Sequence, residues 1–216
     1  MKPILTENDK TDLEKKIAQT EKATGIQIVL ATVRRSDSYI EIPWKAFALT
    51  ASVAALIVLS VNILVPVWVN NVTLFVAILV IPGAAVIASM MSVLIPPFAR
   101  LLLSDGRAEA ETKQYAESMF LKRGLFSTAG RSGLLVLVSI FERKVVILPD
   151  RGISDRLNNN VLADIISAMK HPLRKGEMKL AMGTALDEII RIMKPVHTGE
   201  DEKNELPDEI IEDKGV

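Results

Sequence analysis

Residues 132–153 have the sequence SGLLVLVSIFERKVVILPDRGI, in which two apolar runs flank a short charged segment. Apolar runs of this length, rich in valine, leucine and isoleucine, are typical of strands that are covered on both faces. Leu134 to Phe141 and Lys144 to Leu148 are therefore predicted to be strands, and the short turn between them makes the pair antiparallel. Glu142 and Arg143 are expected to be turn charges exposed to water.

Helices are predicted on both sides of this pair of strands. One runs from a cap at Asp105 to about Gly124. Two more follow the strands, because apolar residues recur there with helical spacing. These positions are Val161, Leu162, Ile165, Ile166 and Met169 in one helix, and Met178, Ala181, Met182, Ala185, Ile189, Ile190 and Met193 in the other.

The start of the chain adds a helix and a strand. Thr6 and Asp9 have the spacing of a capping box, and Gly25 is expected to end the helix that they begin. Ile26 to Val33 is almost continuously apolar and β-branched, as in a central strand. These elements predict an α/β domain.

A long uncharged segment interrupts this domain. Ala46 to Ala99 contains no Asp, Glu, Lys or Arg, so all 52 charged residues lie in the other 162 positions. The segment is long enough for two helices of about 20 residues, the length that crosses a bilayer. Spans are predicted at about 44–65 and 72–95, with a turn at Pro66 to Asn71 and an interruption at Pro96 and Pro97.

The domain organisation follows from this insertion. The 45 residues before the hairpin are too few to bury a central strand, so they must join the chain after Arg100 in one domain. Residues 1–43 then supply the first helix and strand, 44–99 the transmembrane hairpin, and 100–196 the rest of the domain. Residues 197–216 hold eight acidic residues against two lysines, which predicts an acidic disordered tail.

Basic residues flank the two spans and predict their orientation. Arg34, Arg35 and Lys45 precede the first span, Arg100 and Arg107 follow the second, and the connecting turn has none. Both flanks and both termini are therefore expected to be cytoplasmic.

The second span carries small residues on one face. Ala84, Ala88 and Ser92 recur every four residues and let another helix approach closely. We expect packing within the hairpin, with contact to a second protomer as the alternative. The absence of charged residues from the spans argues against an ion pathway.

Composition excludes several other functions. A net charge of zero and two tyrosines provide no basic aromatic surface for nucleic acid. The chain has no cysteine, which rules out disulfides and thiol chemistry, and its two histidines have no metal-ligand spacing.

Residues 132–153 resemble the TPM domain family, which includes plant thylakoid-lumen proteins, photosystem repair factors and many bacterial membrane proteins. The similarity comprises the strand, the Phe-Glu-Arg turn at 141–143, the second strand and the Asp-Arg-Gly-Ile sequence at 150–153. Glu21 to Val29 is similar to the family's Glu-x-x-Thr helix end and following strand, although Gln27 stands where Glu is common. The resemblance implies a small mixed β-sheet flanked by helices, here in a bacterial inner-membrane protein. The inserted hairpin departs from the plant proteins.

The resemblance also implies acid phosphatase activity, reported for a plant member. Asp150 lies at the end of a strand, where an α/β sheet commonly places its ligands, and its carboxylate could hold Ca²⁺ or Mg²⁺ or act on a phosphoester. Glu21 is a second candidate if the fold brings the two positions together. Alternatively, Asp150 caps the next turn and pairs with Arg151, while Gly152 supplies a special backbone angle.

The loop from Arg123 to Gly133 is a further candidate binding segment. Its glycines and hydroxyl groups, Thr128 among them, could expose backbone amides to an anion. It lacks the Gly-Lys-Ser/Thr ending of a nucleotide-binding loop and precedes a strand instead of following one. A flexible connection is the alternative.

Two functions remain open from the sequence. The leading hypothesis is a membrane-anchored module that binds a membrane-protein partner, in assembly or quality control. The alternative is a metal-assisted phosphatase with Asp150 as its catalytic residue, and candidate binding residues at Asp150, Arg151, Gly152, Glu21 and Thr128.

Overall fold

The computed structural model describes residues 4–65, 70–193, 207 and 210–215. Its Cα positions form two compact units, one of Met1–Asp37 with Glu109–Val216 and the other of Ser38–Ala108. The elements in chain order are α1 (Glu7–Thr24), β1 (Gln27–Val33), α2 (Glu41–Leu64), α3 (Asn71–Leu94), α4 (Pro96–Leu101), α5 (Asp105–Lys122), β2 (Gly133–Ser139), β3 (Lys144–Pro149), α6 (Asn159–Lys175), α7 (Met178–Met193) and β4 (Ile211–Asp213).

The first unit contains a four-stranded mixed sheet in the order β3-β2-β1-β4. β1 is parallel to both β2 and β4, and β2 is antiparallel to β3. Every residue of β1 and β2 is buried, as their continuous apolar composition predicts. The predicted fold class, a mixed sheet flanked by helices with the apolar hairpin after the first strand, is confirmed.

Both faces of the sheet are covered, and the side chains of β1 alternate between them. Ile28 and Leu30 join one core with residues of α1, α6 and α7. Val29, Ala31 and Val33 join the other core with residues of α5. This alternation follows from the two-residue period of a strand.

Local sequence signals determine where the helices begin and end. Thr6 and Asp9 form the predicted capping box of α1, and Gly25 ends that helix in the left-handed conformation at φ +69°. Ile95 is extended and separates α3 from α4, because the residue before a proline disfavours the helical conformation.

The second unit contains the two long apolar helices. α2 and α3 have 24 residues each and pack against each other. Ala88 and Ser92 are buried and Ala84 is half-buried, so the small-residue face packs within this unit. Residues 66–69, where most of the interhelical turn was predicted, lie outside the described residues.

The prediction of a disordered tail is wrong for the end of the chain. Ile211 to Asp213 form β4, which pairs in parallel with Ala31 to Val33. Two adjacent isoleucines, Ile210 and Ile211, are buried there and offset the acidic composition around them. The rest of the predicted tail, 197–206, 208–209 and 216, lies outside the described residues.

Candidate functional site

Asp150 is fixed at the point where β3 ends. Its N–H donates to the carbonyl oxygen of Gly133 at 2.8 Å, which continues the ladder of the sheet. Its Oδ1 accepts from the N–H of Arg151 at 2.8 Å, and its carbonyl oxygen accepts from the N–H of Ile153 at 3.1 Å. Asp150 therefore caps the turn that follows it, and only 5% of the residue is exposed.

The guanidinium group beside Asp150 belongs to Arg131, whereas the capping interpretation assigned it to Arg151. Nε of Arg131 lies 3.0 Å from Oδ2 of Asp150, and Nη1 donates to the carbonyl oxygen of Phe126 at 2.8 Å. Among the described residues, the buried Oδ2 accepts no aligned hydrogen bond. The ion pair with Arg131, whose side chain is 48% exposed, compensates the charge at that oxygen.

Gly152 is required for close packing and not for a special backbone angle. It is absent from the glycines with positive φ. A Cβ at this position would overlap the carbonyl oxygen of Gly130 and lie 2.7 Å from that of Arg131. Its N–H donates to the carbonyl oxygen of Arg131 at 3.0 Å. The turn after β3 is therefore pressed against the loop before β2.

That loop, for which a flexible connection is the alternative to a binding segment, is folded. It forms two 3₁₀ turns, Leu125–Ser127 and Ala129–Arg131. The Thr128 hydroxyl donates to the carbonyl oxygen of Leu125 at 3.2 Å and accepts from the N–H of Ser132 at 3.0 Å. These bonds occupy the hydroxyl, and Thr128 is buried, so it is a structural bridge within the loop.

Glu21 supports β1. Its Oε1 accepts from the buried N–H of Ile28 at 2.6 Å. Along β1 this N–H points to the side away from β2, where β4 does not reach. The carboxylate thus takes the place of a neighbouring strand, which is a sufficient structural reason for a buried glutamate.

The structure brings Asp150 and Glu21 to the same end of the sheet, but this is the amino end of its parallel strands. β3 runs opposite to the others, so its last residue, Pro149, pairs with Leu134 near the start of β2, and β1 begins at the same level on the other side of β2. Ligands of open α/β sheets bind at the carboxyl ends of the parallel strands, and the comparison of Asp150 with such sites is wrong for this reason. Within the described ranges, no group of three His, Cys, Asp or Glu side chains is arranged to hold a metal ion.

The carboxyl end of the sheet holds a polar cluster that the sequence did not reveal. Glu142, expected to be exposed, is 7% exposed. Its Oε1 accepts from the N–H of Ser36 at 2.8 Å, and its Oε2 accepts from the hydroxyl of Ser139. The hydroxyl of Ser36 also donates to that of Ser139 at 3.2 Å. This cluster fastens the chain that leaves β1 to the turn between β2 and β3.

The two ends of the sheet offer different groups among the described residues. At Asp150 these are a carboxylate, a guanidinium group and nearby carbonyl oxygens, which can bind a charged group. At Glu142 the groups are buried and bonded to each other. Only Arg143, at φ +54°, is the exposed turn charge that was predicted.

Comparisons with known proteins agree with this architecture. Residues 97–192 match the family model of the TPM domain, a range that includes the segment 132–153. The NMR structure of BA42 protein from the psychrophilic bacterium Bizionia argentinensis is similar over 98% of this chain and 97% of its own, with a TM-score of 0.58 and 14% identity. At that identity the likeness concerns the fold alone. No curated protein matches the chain at a significant level.

Proposed function

We propose that this chain, in which residues 97–192 match the model of the TPM domain, is a membrane-anchored binding module that holds a protein partner at the bilayer, in assembly or quality control. The observation that carries the proposal is the exposure of α2 and α3. Of the most apolar 18 residues in each helix, none in α2 and 6% in α3 are buried within the protein. A core helix of a soluble protein with this composition would be mostly buried.

The dimensions of these helices support a position in the bilayer. At 1.5 Å per residue, a helix of 24 residues is about 36 Å long, which exceeds the hydrocarbon thickness of about 30 Å. The basic residues on the outer flanks and their absence from the connection support cytoplasmic flanks in a bacterial inner membrane.

Anchoring is tested by removing the hairpin. The full chain is expected in the membrane fraction after alkaline extraction, and a variant with Ala46 to Ala99 replaced by a Gly/Ser linker is expected in the soluble fraction. Extraction of the full chain into the soluble fraction would refute the anchor.

Orientation is tested with single cysteines, which the chain allows because it has none of its own. Asn71→Cys at the start of α3 and Asp155→Cys, which is exposed, are labelled with an impermeant reagent on whole cells. We expect Asn71→Cys alone to react. The opposite pattern would place the TPM domain outside the cytoplasm.

A second candidate function is a metal-assisted phosphatase that uses Asp150. The observation that favours it is the buried Oδ2, which lacks an aligned hydrogen bond. Against it stands the guanidinium group of Arg131, which occupies the direction from which Ca²⁺ or Mg²⁺ would approach and repels a cation. Those two residues would have to separate before a metal could bind.

Assays with a generic phosphoester, with and without Mg²⁺ or Ca²⁺, distinguish the two functions. We expect no turnover by the full chain or by Asp150→Asn. The matched control is Asp155→Asn, which removes an exposed carboxylate from the same turn region. Turnover that Asp150→Asn abolishes and Asp155→Asn preserves, with the fold intact, would establish the phosphatase and overturn the preference for binding alone.

A further inference from the structure

The strand at the end of the chain completes the sheet although it is only three residues long. β4 lies beside β1, on the edge that faces away from β2, and pairs with Ala31 to Val33. The N–H of Arg34 then donates to the carbonyl oxygen of Asp213 at 3.2 Å. An exposed strand edge is a template for an added strand, and here the chain's own end occupies it.

Two isoleucines anchor this segment on opposite faces of the sheet. Ile210 is 5% exposed and packs in the core that contains Leu5 and Leu30. Ile211 is 8% exposed and packs in the core that contains Val33. Consecutive residues of an extended segment point to opposite faces, so the site binds two adjacent aliphatic side chains, one on each face of the sheet.

The first acidic residue of this segment, Glu212, is bound by residues near the start of the chain. The carboxylate of Glu212 accepts from the N–H of Leu5 at 3.2 Å and from that of Ile4 at 3.4 Å. The ammonium group of Lys10 lies 3.7 Å from the same carboxylate. Two backbone donors and one cation therefore face this position.

The second acidic residue of this segment, Asp213, is bound by a residue of α5. The hydroxyl of Tyr115 donates to the carboxylate of Asp213, and the N–H of Gly215 donates to its Oδ1 at 3.1 Å. The Tyr115 bond is the largest of the causes that lower the pKa of Asp213. An aspartate thus fits this position in its charged form.

The last position of the docked segment at which the site specifies a residue is a glycine. Gly215 has φ +75°, and a Cβ there would overlap the carbonyl oxygen of Arg35. Lys214, by contrast, is exposed. The docked sequence is therefore specified at five of six positions, from Ile210 to Gly215.

The other end of the site is closed. The carboxylate of Glu21 accepts the N–H of Ile28, so a strand added beside β1 gains no bond there. The available edge runs from about Leu30 to Arg34. A site this short binds a short peptide and gives up its occupant more readily than a full-length strand pair.

We propose that the edge of β1 from Leu30 to Arg34 is a strand-addition site for an extended peptide. Along its sequence this peptide has two aliphatic residues, then two acidic residues, then one residue of any type, and then glycine. The chain's own segment from Ile210 to Gly215 fills the site until a partner with the same pattern replaces it. This proposal deepens the proposed function, because it states how the module holds its partner.

The first experiment measures hydrogen exchange of the full chain in detergent micelles. If β4 docks reversibly, the amide of Arg34, which donates to Asp213, exchanges about 10-fold or more faster than the central amides of β2. Equal protection of these amides would show that β4 opens only when the whole sheet unfolds, and would overturn the proposal.

The second experiment uses a labelled peptide with the sequence of residues 210–216, IIEDKGV, and the full chain. Gly215→Ala weakens the chain's own segment, so the variant is expected to bind the peptide about 10-fold or more tightly than the wild type, in which a tethered competitor acts at about millimolar effective concentration. Lys214→Ala is the matched control and should behave as the wild type. Equal peptide binding by all three proteins, or none by any, would overturn the proposal.

Two further readouts complete the test. If the β2 amides of Gly215→Ala lose protection, the substitution has destabilised the sheet itself. Ile211→Ser is then used in place of Gly215→Ala, and the same gain in peptide binding is expected. If light scattering shows the wild-type chain as a dimer and Ile211→Ser as a monomer, a second copy fills the site, and filling by the chain's own end is overturned. Neither readout depends on the bilayer. A negative result for peptide binding therefore leaves the alkaline-extraction test of the anchor unaffected, and a negative extraction result leaves peptide binding measurable.

Discussion

Gly152→Ala tests whether the turn after β3 is packed as tightly as the structure shows. The added Cβ would lie 2.7 Å from the carbonyl oxygen of Arg131 and overlap that of Gly130, and both are backbone atoms that cannot rotate away. Overpacking of this kind costs about 1–3 kcal/mol. Moving the turn would also weaken the bond from the N–H of Gly152, which contributes about 0.5–1.5 kcal/mol. We expect a loss of about 2–4 kcal/mol in the free energy of unfolding.

The assay is hydrogen exchange of the β2 amides in the full chain, with urea unfolding as a second measure. The control is Gly183→Ala in α7, where a Cβ would meet only the flexible end of Lys16 at 3.4 Å. Removing a glycine from a helix interior stabilises by about 0.5–1 kcal/mol, so the same substitution should have opposite signs at the two sites. A Gly152→Ala variant within about 0.5 kcal/mol of the wild type would refute the close approach of the two loops.

Three further predictions follow from polar groups. Thr32→Val should raise the free energy of unfolding by about 1 kcal/mol, because the buried Thr32 hydroxyl has no hydrogen-bond partner among the residues that the structure describes; a loss in urea unfolding would contradict this. Glu142→Ala should cost about 2–4 kcal/mol, since it removes the acceptor of the Ser36 N–H and the Ser139 hydroxyl, and Glu142→Gln should cost less in the same assay. The bond from Tyr115 lowers the pKa of Asp213 below 3.8. The charged Asp213 carboxylate therefore stabilises β4 above that pH, and this stabilisation is lost as pH falls through the lowered pKa. Asp213→Asn should remove this part of the pH dependence of exchange at the Arg34 amide, and an unchanged pH profile would contradict the prediction.

Local sequence was sufficient for most of the fold. The apolar runs of β1, β2 and β3 are bounded by turn residues, and the caps at Thr6 and Gly25 act within a few residues of chain. Such signals do not require knowledge of distant residues. The same holds for α2 and α3, whose uncharged composition is a property of the segment alone.

The missed features depend on partners that are remote in sequence. Glu142 is buried because it binds the N–H of Ser36, 106 residues earlier. Glu212 is fixed by the N–H of Leu5, 207 residues earlier. An acidic residue with such a partner looks the same in the sequence as a solvated one, so the burial of Glu142 and the docking of β4 could not be predicted.

The order of the strands in the chain has a consequence for synthesis. β1 pairs with β2, which begins about 100 residues later, and with β4, at the far end of the chain. At about 5–20 residues per second, the ribosome takes roughly 5–20 s to add that intervening stretch. During this interval both apolar helices emerge while β1, apolar from Ile28 to Ala31, has only α1 beside it. If the hairpin is the proposed anchor, it can enter the membrane before the sheet closes. A nascent chain arrested between α3 and β2 would then be a membrane-tethered intermediate with an unpaired strand, which is prone to aggregate.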